Sequence, residues 1–93
     1  MITASHLAEF VCATDGRDAG GYFIVVSCGD NFLNICNGKN RKVMCPKKKN
    51  PKHLSFTGVR DEKLFKKLSD GLEITNKEVR KSVRRYLEEI QEI

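Results

Sequence analysis

Tryptophan is absent from this 93-residue chain, and tyrosine and proline occur twice each. A groove for proline-rich or methylated peptides needs several exposed aromatic rings, so a peptide-binding surface is poorly furnished. Cysteine occurs four times, at Cys12, Cys28, Cys36 and Cys45, but never as a C-x-x-C pair. Zinc sites begin from two close ligands, and the isolated His6 and His53 supply none. The expectation is therefore four buried, reduced thiols acting as small hydrophobes, without metal or disulfide framework, and two surface histidines. No apolar run approaches the roughly 20 residues that span a bilayer. The first residues, Met1 to His6, lack both the basic and the apolar region of an export signal. A cytoplasmic protein with no membrane partner is expected. Nor does the spacing assemble a nucleophile with a base, a carboxylate pair or a metal cluster, which argues against an enzyme, a cofactor and a small-molecule substrate. Asp15 and Asp18 flank turn glycines, where such side chains cap backbone groups.

The most telling absence is that of carboxylates between Lys39 and His53. That stretch holds Lys39, Arg41, Lys42, Lys47, Lys48, Lys49 and Lys52, seven of the seventeen lysines and arginines. Residues 1–38 hold one arginine against four carboxylates, and residues 54–93 nine bases against eight acids, so the formal charge of +5 originates in one segment. Positive charge concentrated in this way attracts a polyanion through Coulomb steering and counterion release. Nucleic acid is the expected partner.

A chain of this length forms one small domain. Five short strands are expected, over Leu7–Ala13, Tyr22–Cys28, Phe32–Cys36, Arg41–Cys45 and His53–Phe56. Asn37-Gly38 predicts a type I′ hairpin turn between the third and fourth. Pro46 and Pro51 bracket Lys47-Lys48-Lys49, which places those lysines on a loop outside the sheet ladder. Together these features describe a five-stranded SH3-like barrel over residues 1–57. After Thr57-Gly58 the period changes. Leu64, Phe65 and Leu68 share one face of a helix that Asp70-Gly71 stops, and Thr75 opens a second helix with a capping box to Glu78. The second helix carries an apolar stripe of Val79, Val83, Tyr86 or Leu87, and Ile90. Residues 58–93 thus read as two short helices packed on the barrel, and the fold class as mainly β with a C-terminal α extension.

The stretch from Phe10 to Val26, with Gly16 or Gly20 at the hallmark glycine, resembles a KOW motif, the strand-loop-strand unit of ribosomal proteins and transcription elongation factors. Taken with Asn37 to Val43, Pro46 to Leu54 and Leu72 to Lys81 in that order, the chain resembles the short KOW-domain RNA-binding proteins of Gram-positive bacteria. Those are similar to the L14e-type large-subunit ribosomal proteins of archaea and eukaryotes. The resemblance implies an SH3-like barrel and contact with ribosomal RNA of the large subunit. Family members usually carry bases at the positions of Ala19 and Gly21, whereas here Arg17 is the one base in the first loop, which moves the expected contact towards Lys39 to His53.

Phosphate contact needs several cationic donors on extended backbone. The candidate RNA-binding set is therefore Arg17, Lys39, Arg41, Lys42, Lys47, Lys48, Lys49, Lys52 and His53, with Arg17 and Arg41 best suited to bidentate recognition. A secondary set, Arg80, Lys81, Arg84 and Arg85, lies opposite the apolar stripe of the last helix. The default for it is a solvated face with i,i+4 pairs from Arg84 to Glu88 and Arg85 to Glu89. Tyr22, Phe23 and Phe32 are candidates for base stacking, although their strand context favours core packing. The reading is a non-catalytic RNA-binding protein, monomeric when free, that contacts large-subunit rRNA. The competing reading is an SH3-like protein-interaction module in transcription or translation complexes.

Overall fold

Alternating apolar side chains give the central strands two buried faces, one covered by the helices and the other by the strands' own side chains. The structure, a computed structural model, describes residues 6–91; residues 1–5, which belong to the stretch read for an export signal, and Glu92 and Ile93 lie outside the described residues. Five antiparallel strands, β1 (Glu9–Ala13), β2 (Tyr22–Cys28), β3 (Leu33–Cys36), β4 (Lys47–Lys49) and β5 (Leu54–Arg60), form one sheet in the order β4-β3-β2-β1-β5. A single turn of 3-10 helix, Pro51–His53, joins β4 to β5, and two helices follow, α1 (Glu62–Ser69) and α2 (Asn76–Gln91). The sheet is open, with β4 and β5 as its edges.

Register assigns the faces. Phe10 lies opposite Ile24 and Ile24 opposite Cys36 on one face, while Val11 opposes Phe23 and Val25 opposes Ile35 on the other. The first face meets the helices: Ala8, Phe10, Ile24 and Cys36 pack with Leu64, Ile74, Val79, Val83 and Tyr86. The Phe10 and Tyr86 rings stack there with centroids 4.5 Å apart. Burial pushes the Cys36 thiol up to about 12, which keeps it protonated and inert. Among the described residues no helix packs on the second face. Val11, Ala13, Phe23, Val25, Leu33, Ile35 and Leu54 bury one another, so strand residues alone exclude water on that side.

Local chemistry sets the helix starts. The Asp61 carboxylate accepts from Leu64 N at 3.0 Å and caps α1, while its other oxygen accepts from the buried Ser82 hydroxyl and ties α1 to α2. Thr75 and Glu78 form the expected capping box: Thr75 Oγ1 accepts from Glu78 N at 3.1 Å, and Thr75 N donates to Glu78 Oε1 at 3.0 Å. On α2, Val79, Val83 and Tyr86 are buried and Leu87 half-buried, but Ile90 is exposed and falls off the stripe. At 16 residues α2 is not short.

Several boundaries depart from expectation. Ala8 adopts a left-handed φ of 63°, so β1 begins at Glu9 and not at Leu7. The segment Arg41–Cys45 is a turn; the fourth strand is Lys47–Lys49, which joins the ladder opposite Leu33, Asn34 and Ile35. Both prolines stay outside the strand, Pro46 just before it and Pro51 in the 3-10 turn, where the Asn50 side chain caps Lys52 N. Asn37-Gly38 is not a type I′ turn, since of the two only Gly38 has positive φ. His53 belongs to the 3-10 turn, and β5 runs through Thr57 and Gly58 to Arg60, across the expected end of the barrel. The Thr57 hydroxyl holds it there by donating to Phe10 O at 2.7 Å, and Gly58 N donates to the buried Glu9 carboxylate at 3.0 Å. Of the cysteines, Cys36 is buried, Cys12 and Cys28 are half-buried, and Cys45 is exposed because its segment is a turn and not a strand.

Candidate nucleic-acid interface

The turn after β3 is built by Asn37, whose side-chain oxygen accepts from Lys39 N at 2.9 Å and Arg41 N at 3.1 Å. Gly38 sits at φ +77°, and a Cβ there would lie 2.4 Å from Asn76 O and 2.8 Å from Arg80 Cγ. Glycine is therefore required twice, by conformation and by the approach of α2. Helix and turn are laced together: Arg80 Nη1 donates to Gly38 O at 2.7 Å, and Val43 N donates to Asn76 Oδ1 at 2.8 Å. This docking sets Lys39 beside Arg80 and Arg84 along a groove of about 270 Å³ whose lining also includes Tyr22, Asn37, Val83 and Leu87.

The loop between β1 and β2 engages three of the candidate bases. Arg41 Nη2 lies 3.0 Å from Asp18 Oδ2, and the Asp18 side chain is only 6% exposed. The pair fixes the Arg41 guanidinium, whose Nε is buried without a hydrogen-bond partner. Lys49 Nζ donates to Asp15 O at 3.1 Å, and His53 Nδ1 lies 3.0 Å from Asp15 Oδ2. Neither histidine is a plain surface residue: both are half-buried and paired, His6 with Glu9 at 2.8 Å. Arg17 sits exposed between those two aspartates. The structure thus gathers Arg17, Arg41, Lys49 and His53 at one loop, where Asp15 and Asp18 offset part of their charge.

The lysines of β4 do not form one patch. Lys47 and Lys49 oppose Ile35 and Leu33, whereas Lys48 opposes Asn34, so successive side chains leave opposite faces of the strand. The Lys48 ammonium rests 4.2 Å from the Phe32 ring centroid. Lysine on an edge strand also discourages pairing with a second sheet, a structural role that needs no ligand. Lys42 and Lys52 are exposed.

The secondary set divides. Arg80 and Arg84, one turn apart, line the groove with Lys39, whereas Lys81 and Arg85 line a hollow with Asp61 and Glu78 on another side of α2. Lys67 donates to Glu78, which with the Thr75 backbone N–H holds that carboxyl below its usual range. Among the described residues no ion pair joins Arg84 to Glu88 or Arg85 to Glu89. The three aromatic candidates divide as well. Phe23 is core, Phe32 is met by Lys48, and half-buried Tyr22 lines the groove. The combination of Tyr22 with Lys39 and α2 escaped sequence reasoning. Its one local trace is the i,i+4 step from Arg80 to Arg84 beside that from Val83 to Leu87.

Compared with known families and curated proteins, the chain matches no family model and no curated sequence.

Proposed function

We propose that the protein is a non-catalytic RNA-binding protein of SH3-like, KOW-type architecture that associates with the ribosome through large-subunit rRNA. The observation that carries this reading is the carboxylate-free run from Lys39 to His53, whose seven lysines and arginines are held by a sheet edge, two turns and the start of α2. Cations spaced along a surface suit a phosphate backbone, because each contact releases condensed counterions. The barrel reading draws support from the strand order β4-β3-β2-β1-β5, the 3-10 turn before β5 and a second sheet face buried by strand residues alone. Sedimentation of cell lysate through a sucrose gradient tests it. The protein is expected in the large-subunit fraction at low salt and released from it at high salt. Sedimentation at the top of the gradient at low salt would overturn the proposal.

A further inference from the structure

Two kinds of surface recognise single-stranded RNA: cationic tracks that follow phosphates, and pockets in which a splayed base meets an aromatic ring. The groove beside α2 has the composition of the second. Tyr22, Val83 and Leu87 supply apolar lining, and Lys39, Arg80 and Arg84 supply charge, with no carboxylate among the lining residues. The ring is preorganised: Tyr22 packs against Tyr86 with centroids 5.9 Å apart and planes at 51°, and Tyr86 is itself stacked on Phe10. Arg80 is positioned by its bond to Gly38 O, while Lys39 and Arg84 are exposed. Groups held in place before binding lose little freedom on binding. The nearby Cys12 thiol, burial and Tyr86 all raise the Tyr22 phenol above its ordinary value, so the ring adds no negative charge at neutral pH. At about 270 Å³ the groove is smaller than the roughly 300–1,000 Å³ that encloses a drug-sized ligand. It has room for a base whose sugar and phosphates remain outside.

We infer that this groove binds one unstacked nucleotide of single-stranded RNA, with its base against Tyr22 and its flanking phosphates on Lys39, Arg80 and Arg84. The inference rests on the RNA-binding reading and sharpens it: the target is a loop, bulge or strand, since a duplex keeps its bases stacked and out of reach.

The test uses the whole protein with a fluorescein-labelled, mixed-sequence RNA decamer, single-stranded or annealed to its complement, followed by anisotropy. The single strand should bind more tightly than the duplex. Tyr22→Leu should weaken single-strand binding roughly 5- to 100-fold with the salt slope unchanged, and Tyr22→Phe should restore it. Arg84→Ala should weaken binding and flatten the slope by about 0.7. Because Tyr22 packs on Tyr86, melting curves establish that the leucine variant is folded. Independently of any variant, irradiation of wild-type protein with a 5-iodouridine decamer should crosslink Tyr22. Crosslinking confined to other residues, equal affinity for the duplex, or wild-type affinity in folded Tyr22→Leu would each overturn the inference. If Lys47, Lys48 and Lys49 replaced by Ala abolish binding while Tyr22→Leu leaves it intact, RNA binding stands and the groove falls. If the wild-type protein binds neither RNA, both readings fail together.

Discussion

The lysine strand β4 and the groove beside α2 carry three bases each, yet they present them differently. In β4 the charges are adjacent in sequence but leave alternate faces of an edge strand, one over Phe32 and one hydrogen-bonded to Asp15 O. In the groove the charges come from positions 39, 80 and 84 and line one hollow together with one aromatic ring. Charge density along a chain thus says little about charge density in space. A strand disperses neighbours, and a helix packed on a turn concentrates strangers.

Removing α2 by truncation after Gly71 is the harshest way to break this comparison, since it deletes the groove and leaves β4 untouched. It also uncovers Phe10, Ile24 and Cys36 and discards Val79, Val83 and Tyr86, each buried side chain being worth roughly 1.5–3 kcal/mol. A loss of about 5 kcal/mol is expected, comparable to the whole stability of a small domain. Circular dichroism should show a lost or much lowered melting transition. A truncated chain that melts like the full one would make α2 a binding appendage on a self-sufficient sheet.

Gly38→Ala attacks the groove alone. The left-handed φ and the 2.4 Å approach of Asn76 O leave no room for a methyl group, so a destabilisation of about 2–3 kcal/mol is expected from thermal melts. A variant of unchanged melting temperature would show that α2 does not rest on the turn.

Two triple variants sharpen the contrast without replacing any residue of the buried core. Alanine at Lys39, Arg80 and Arg84 should flatten the salt dependence of single-stranded RNA binding by about 2, at roughly 0.7 per phosphate contact. Alanine at Lys47, Lys48 and Lys49 should flatten it by less, because those side chains leave alternate faces of β4 and do not all meet the same strand of phosphates. Equal losses would erase the distinction between strand and groove.

The smallest effect concerns pH and belongs to the side of α2 away from the groove. The Lys67 hydrogen bond, together with that from Thr75 N, holds the folded Glu78 carboxyl below its ordinary value of 4.5. A carboxyl lowered by folding contributes stability above its unfolded value, and that contribution is lost as pH falls through the folded one. The melting-temperature difference between wild type and Glu78→Gln should therefore be constant above about pH 5 and shrink below pH 4.5. RNA binding at neutral pH should be unchanged. A difference that persists at low pH would assign the effect to the side chain's packing.

What was legible depended on the range of the interaction. The Thr75–Glu78 box, the helical face of Leu64, Phe65 and Leu68, the run Tyr22–Cys28 and the stripe from Val79 to Val83 were readable, because each is decided within a few residues by a hydrogen bond or a period. The placement of β4 was not. Three lysines have poor strand propensity, and they form a strand because Leu33, Asn34 and Ile35 offer an open edge with its backbone groups unpaired. The neutralising roles of Asp15 and Asp18 were equally hidden, for nothing local links Asp18 to Arg41 or Asp15 to His53.

Legible in the residues alone were the mainly β chain with its helical end, the strands β2 and β3 almost to the residue, the capped start of α2, and the confinement of net charge to one segment. Those properties are local or additive, and no folding is needed to count a charge or close a capping box. Packing in three dimensions settled which bases stand together, which are answered by carboxylates, and which tyrosine shares their groove. Contacts such as Arg80 with Gly38 and Arg41 with Asp18 join residues far apart along the chain. The first exists because α2, packed on one face of the sheet, comes to rest on the turn after β3.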